Sequence, residues 1–243
     1  MSFAHTMFFG IGGYGAGLAL YNFGPSWSSI LLGTAAALGF AVVLGSRDLR
    51  KGELTAKELD PEGGRIVACQ LEVDNSNSVA AMADWVKERF GRTDVLVNNA
   101  STVYDRWAMA SNADLGAVAE AIDVNMFGPW RVIQALLPML RSSSRPRIVN
   151  VSSEGGSIAA MTGGSPAYGV SKAGLNALSR LLAGELARDG ILVNAVCPGW
   201  PDSEAQSQVR SLAQAAASVI WGVTIPNGGP TGTLTRDGQP FPW

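Results

Sequence analysis

Arg147-Ile-Val-Asn-Val-Ser-Ser153 is a short apolar run that closes on two hydroxyls. Its length, its β-branched residues and the turn-formers around it predict a strand buried in a sheet, with Ser152 and Ser153 at the carboxyl end. A loop of glycines and small residues, Glu154 to Ala167, leads from it to Tyr168-Gly-Val-Ser-Lys172. From Tyr168 to Arg188 the pattern is helical, and four residues along a helix return to the same face. Tyr168 and Lys172 therefore stand one turn apart. A free phenol titrates near ~10, and a fixed positive charge within about 4–6 Å favours its ionised form. A tyrosine so placed is a usable acid or base.

Outward from this centre the same alternation repeats. Asp94-Val-Leu-Val-Asn-Asn-Ala100 reads as a second strand, ending in amides. Between the two strands, Leu115 to Arg141 has apolar residues at helical spacing, with Pro138 expected to kink it near its end. Asn125, within Asp123-Val-Asn-Met-Phe-Gly128, is a polar amide on that apolar stripe and must find partners. Further strands are predicted at Thr6 to Phe9, Phe40 to Leu44, Arg65 to Val73 and Ile191 to Val196, with Thr231 to Thr235 as the last, at the edge. Helices are predicted from Lys51 to Gly64, Ser78 to Arg89 and Ser211 to Val223. Strands alternating with helices, without repeat or linker, predict a Rossmann-type α/β fold: a doubly wound parallel sheet of about seven strands with helices on both faces. A chain of 243 residues forms one such domain, 1–243, and ligands meet at the carboxyl ends of its strands.

Composition narrows the chemistry. Net charge is −2, from 18 basic and 20 acidic residues without a basic cluster, which argues against a nucleic-acid partner. His5 is the sole histidine, so Ser-His-Asp hydrolysis, Cys-His chemistry and most zinc sites drop out, and no metal is expected. Cys69 and Cys197 fall in apolar strand-like segments and read as buried free thiols, as suits a reducing cytoplasm. Met1 to Ser46 carries no charge, yet glycine and proline interrupt it before about 20 apolar residues accumulate. Neither a membrane span nor a signal peptide is expected.

Asn125, Ser153, Tyr168 and Lys172, in that order, resemble the catalytic tetrad of the short-chain dehydrogenase/reductase family. The resemblance runs from about residue 40 onward and includes the Asn-Asn-Ala turn, Val-Ser-Ser, Tyr-x-x-x-Lys and Cys197-Pro-Gly-Trp200. Pro-Gly-Trp and the segment Arg236-Asp-Gly-Gln-Pro-Phe-Pro-Trp243 are most similar to the carbonyl-reductase-like branch. Residues 1–39 are divergent.

Gly10, Gly12 and Gly15 form G-x-G-x-x-G, a turn that lets backbone N–H groups approach a pyrophosphate. The family pattern Thr-Gly-x-x-x-Gly-x-Gly is matched in its second half by Gly15 and Gly17. A rival placement, Tyr21 to Ser28, keeps the spacing to the next strand and loses nearly every glycine. Arg47, which precedes Asp48 after the second strand, favours NADP over NAD, because an arginine accommodates the extra phosphate. The resemblance implies adenine contacts from Glu72 and Val73, with Glu where Asp is usual, and cofactor contacts from Asn99, Ala100, Tyr168, Lys172, Pro198 and Gly199. Ser203 stands at the register of the threonine that binds the nicotinamide carboxamide.

The implied function is NADP(H)-dependent interconversion of a small ketone or aldehyde with its alcohol. Tyr168 serves as general acid/base, Ser153 bonds the substrate oxygen, Lys172 supports the tyrosine and holds the ribose, and Asn125 marks a backbone distortion that holds a water in the proton relay. The alternative is a catalytically silent relative that binds a nucleotide or a partner chain. Family members often pair through the helices corresponding to 115–141 and 168–188, so a homodimer or homotetramer stands beside a monomer.

Overall fold

A computed structural model describes residues 7–11, 39–102, 105, 107–199 and 211–243, with the backbone alone at 7–11 and 212. Among the described residues, eight strands form one sheet: β1 Met7–Ile11, β2 Ala41–Ser46, β3 Ile66–Gln70, β4 Val95–Asn98, β5 Arg147–Val151, β6 Leu192–Val196, β7 Leu234–Arg236 and β8 Gln239–Pro240. Their order across the sheet is β3-β2-β1-β4-β5-β6-β7-β8. All neighbouring pairs are parallel except β7 with β8. The chain winds outward from β1 to β3 and then crosses back to β4, so the order reverses between β1 and β4 and a crevice opens at their carboxyl ends.

Successive strand side chains point to opposite faces, and the core divides accordingly. Val43, Leu96, Ile148 and Val193 face one apolar layer with helices α2 Ser76–Phe90, α4 Gly128–Arg141 and α5 Pro166–Glu185. Val42, Leu44, Val95, Val97, Val149, Val151 and Val196 face the other, with α1 Leu49–Leu59 and α6 Leu212–Thr224. Strands buried on both faces are why the sequence shows continuous apolar runs rather than polar alternation.

Three elements depart from expectation. β1 extends through Ile11, which pairs with Gly45 of β2 and Asn98 of β4, so Gly10 lies inside the strand and not in the turn after it. Gly12, Gly15, Gly17 and the rival segment 21–28 lie outside the described residues. The helix expected from Leu115 to Arg141 is two helices, α3 Leu115–Ile122 and α4, joined by a π-helical turn at Asp123–Phe127. α4 runs through Pro138 to Arg141, and the irregular turn lies upstream at Asn125. Lastly, the edge belongs to β8 and not to Thr231–Thr235. Asp237 (φ 54°) and Gly238 (φ 73°) form a two-residue hairpin loop that folds Gln239–Pro240 back on β7. Positive φ at both central residues is what such a loop needs, and Asp-Gly supplies it.

Candidate active site

Ser153 follows β5 and is 5% exposed; its Oγ accepts a hydrogen bond from Gly155 N (3.1 Å). Tyr168 is half-buried on the first turn of α5. Gly155 brings the two together. A methyl carbon placed on it would lie 3.7 Å from Ser153 Oγ and 3.6 Å from Tyr168 Cδ1, so hydroxyl and ring border one small space. The loop backbone also presses directly on α5. A methyl on Gly156 would come within 2.8 Å of Lys172 backbone carbon, an approach that excludes any larger residue unless something shifts.

Lys172 is 2% exposed, and its Nζ lies 5.6 Å from the centroid of the Tyr168 ring. The ammonium donates to Val151 O (2.9 Å). Burial pulls its pKa down to about 8, with Cys197 pushing weakly the other way. At neutral pH it remains charged beside the phenol. An ammonium carries three N–H donors, and the described residues provide one acceptor for them.

Asn125 sits in the π-helical turn, fully buried. Its Oδ1 accepts from Thr102 N (2.8 Å), while Nδ2 donates to Thr102 O (3.1 Å) and to Ser171 Oγ (2.9 Å). Ser171 Oγ in turn donates to Tyr168 O (2.8 Å). The carboxamide thus ties the segment after β4 to the helix that bears Tyr168 and Lys172. The expected backbone distortion is present, and the Asn125 side chain clamps it.

The residues expected to hold a dinucleotide lie along the same carboxyl edge. Arg47 is exposed just beyond β2, and Glu72 and Val73 follow β3, with Glu72 Oε2 3.5 Å from Asn75 Nδ2. Asn99 and Ala100 follow β4, half-buried. Pro198 and Gly199 follow β6, and Gly199 takes φ 75°, a left-handed conformation that favours glycine. Ser203 lies outside the described residues.

Three residues that sequence reasoning missed also shape the site. Asn176, one turn beyond Lys172, accepts from Ser152 Oγ (2.6 Å) and donates to Gly156 O (2.9 Å), which fixes both ends of the turn after β5. Its spacing on the Tyr168–Lys172 face is the signal that could have found it. Arg236 Nη2 donates to Glu154 Oε2 (2.8 Å) and approaches Cys197 Sγ (3.4 Å), and the guanidinium lies 4.5 Å from the Phe241 ring centroid. The β7–β8 hairpin is thereby tied to the residue after Ser153. Asp105 accepts from Ala167 N (2.8 Å) and Tyr168 N (3.3 Å) across more than sixty residues of sequence.

A doubly wound parallel sheet with a serine hydroxyl, a phenol and a buried ammonium gathered at its carboxyl edge defines a Rossmann-type oxidoreductase. The family model described as short chain dehydrogenase matches residues 32–214, and the chain belongs to the short-chain dehydrogenase/reductase family. It is similar to carbonyl reductase [NADPH] 1 of Rattus norvegicus, 30% identical over 251 residues that cover 83% of this chain and 88% of the rat protein. It is also 29% identical over 277 residues to short-chain dehydrogenase/reductase 1 of Saponaria officinalis, covering 88% and 91% of the two chains. Among solved structures, NADPH-bound carbonyl reductase from chicken fatty liver shares the fold with a TM-score of 0.82 at 22% identity, over 98% of this chain and 95% of that one.

Proposed function

We propose that the chain is an NADP(H)-dependent carbonyl reductase acting on a small ketone or aldehyde, with the reverse oxidation available, and that residues 1–243 form its single domain. The observation that carries this is the shared space beside Gly155, bordered by Ser153 Oγ and the Tyr168 ring, with Lys172 Nζ 5.6 Å from that ring.

The donor set fits a dinucleotide. Lys172 is a buried ammonium that, among the described residues, has one acceptor, which leaves N–H groups for acceptors such as ribose hydroxyls. Asn99, Ala100, Pro198 and Gly199 flank the same edge. Arg47 suits the extra phosphate of NADP, and the rat and chicken relatives are named for NADPH. Bound NADPH would supply hydride to the carbonyl carbon. Ser153 donates a hydrogen bond to the carbonyl oxygen, where negative charge develops, and Tyr168 delivers a proton to it. Lys172 opposes the negative charge left on the phenol oxygen. Asn125 holds the distorted turn through which the proton is replaced from solvent.

Removal of one such donor costs about 10²–10³ in rate. Tyr168→Phe is expected to lose at least about 10² in kcat against a panel of ketones and aldehydes while NADPH still binds by fluorescence titration. Near-full activity in that variant refutes the assignment. We also infer self-association through α3, α4 and α5, and a reducing compartment such as the cytoplasm, which the free, buried Cys69 and Cys197 support.

A further inference from the structure

We infer that Asp105 is a positioning residue for Tyr168: it is the N-terminal anchor of the helix that carries the proposed general acid, supplied from a distant segment. The inference rests on the oxidoreductase reading above.

The start of a helix leaves backbone N–H groups without intrahelical acceptors. For α5, Ser165 is the capping residue, and a serine there ordinarily accepts from the second or third helical N–H with its own side chain. Here it does not. Ser165 has φ 46°, and its side chain makes no capping hydrogen bond. Pro166, in the first position, has no N–H to satisfy. Gly169 N already reaches Ser165 O (2.8 Å). The two amides left over are those of Ala167 and Tyr168, and the carboxylate of Asp105 takes both, Oδ2 from Ala167 N at 2.8 Å and Oδ1 from Tyr168 N at 3.3 Å. The negative charge of this carboxylate also sits where the helix dipole favours an anion.

The position matters because Tyr168 lies in the first turn, the part of a helix that frays first. A side chain 63 residues away in sequence therefore holds the backbone N–H of the proposed acid itself. The segment that provides it stands against the loop before α5: Ala108 N closes a turn on Asp105 O (2.9 Å), and a methyl on Gly163 would lie 3.8 Å from Met109 Cε. A displacement of Asp105 is thus passed to Tyr168 through two hydrogen bonds, without any contact between Asp105 and substrate.

The test compares Asp105→Ala and Asp105→Asn with Asp60→Ala. Asp60 also takes two backbone N–H groups on its carboxylate, Arg65 N at 2.7 Å and Ile66 N at 3.1 Å, but at the start of β3, the opposite end of the sheet from the site. Asp105→Ala is expected to lower kcat about tenfold with KM and the NADPH Kd within about twofold, since a misplaced acid harms the chemical step more than binding. Asp105→Asn, with one carbonyl acceptor left, falls between it and wild type. Asp60→Ala keeps wild-type kcat. Amide hydrogen exchange at Ala167 and Tyr168 speeds up at least about tenfold in Asp105→Ala and is unchanged in Asp60→Ala.

Unchanged exchange at those amides, full kcat in Asp105→Ala, or an equal kcat loss in Asp60→Ala overturns the inference. Should the wild-type protein reduce no carbonyl compound, the functional reading fails by itself, and exchange at Ala167 and Tyr168 still decides whether Asp105 anchors the helix.

Discussion

Lys172 carries opposite demands on stability and chemistry, and pH separates them. Its ammonium is buried, with a pKa drawn down from 10.5 to about 8 by loss of solvent. Below about pH 8 the folded and unfolded chains both hold the proton, and the fold bears the full cost of burying the charge. Between about 8 and 10.5 the unfolded chain binds a proton that the folded chain has lost, so this residue's contribution to stability rises with pH. Lys172→Met has no such group. The stability of wild type minus that of Lys172→Met, from denaturant unfolding of the cofactor-free proteins, is expected to increase by up to roughly 3 kcal/mol across that window. A flat difference would show that the lysine is not desolvated as the geometry requires. Carbonyl reduction should run the other way, declining over the same window as the charge beside Tyr168 is lost.

At the scale of elements, the π-helical turn Asp123–Phe127 explains why a polar residue occupies an apolar stripe. Gly128 N reaches back to Asp123 O, five residues earlier, so one extra residue is fitted into the helix and Asn125 is turned toward Thr102 and Ser171. Asn125→Ala leaves the Thr102 N–H and C=O without their partner in a half-buried setting, each costing about 1–3 kcal/mol at most. A loss of roughly 2–4 kcal/mol in unfolding free energy is expected, with kcat falling because Ser171 and Tyr168 lose the clamp. Unchanged stability would mean that water replaces the amide. The strands were legible in the sequence because burial on both faces writes them as plain apolar runs, and Arg147–Val151 carries its expected bounds. Asn125, Ser153, Tyr168 and Lys172 were legible by type and order. What stayed hidden depends on long-range pairing. A π turn leaves the helical period nearly intact, Asp237-Gly238 announces a hairpin whose second strand has two residues, and Asp105 caps a helix whose own Ser165-Pro166 looks self-sufficient. The missing glutamate or glutamine at the third helical position, where Tyr168 stands, was the one local hint.

For the whole molecule, the proposed self-association needs a surface able to meet a second copy. The β7 edge is covered from within by β8, which leaves less of it for strand pairing. α3 packs beside α5, and this face keeps large apolar side chains in water: Leu115 is 77% exposed, Val170 51% and Leu181 69%, with Phe127 and Trp130 also exposed nearby. Val170 and Leu181 are eleven residues apart, three helical turns, and so share one side of α5. A patch of this kind on a well-buried domain marks an interaction surface more often than an accident. With a net charge of only −2, electrostatic repulsion offers little resistance to pairing. We therefore expect wild type to sediment as a dimer or tetramer at micromolar concentration. Val170→Glu combined with Leu181→Glu should weaken that association by about 10² or more, because like charges would face each other across a two-fold interface. Both positions point away from Lys172, so the double variant should bind NADPH as wild type does. A wild-type protein that sediments as a monomer, or a double variant that associates unchanged, would move the interface elsewhere or abolish it.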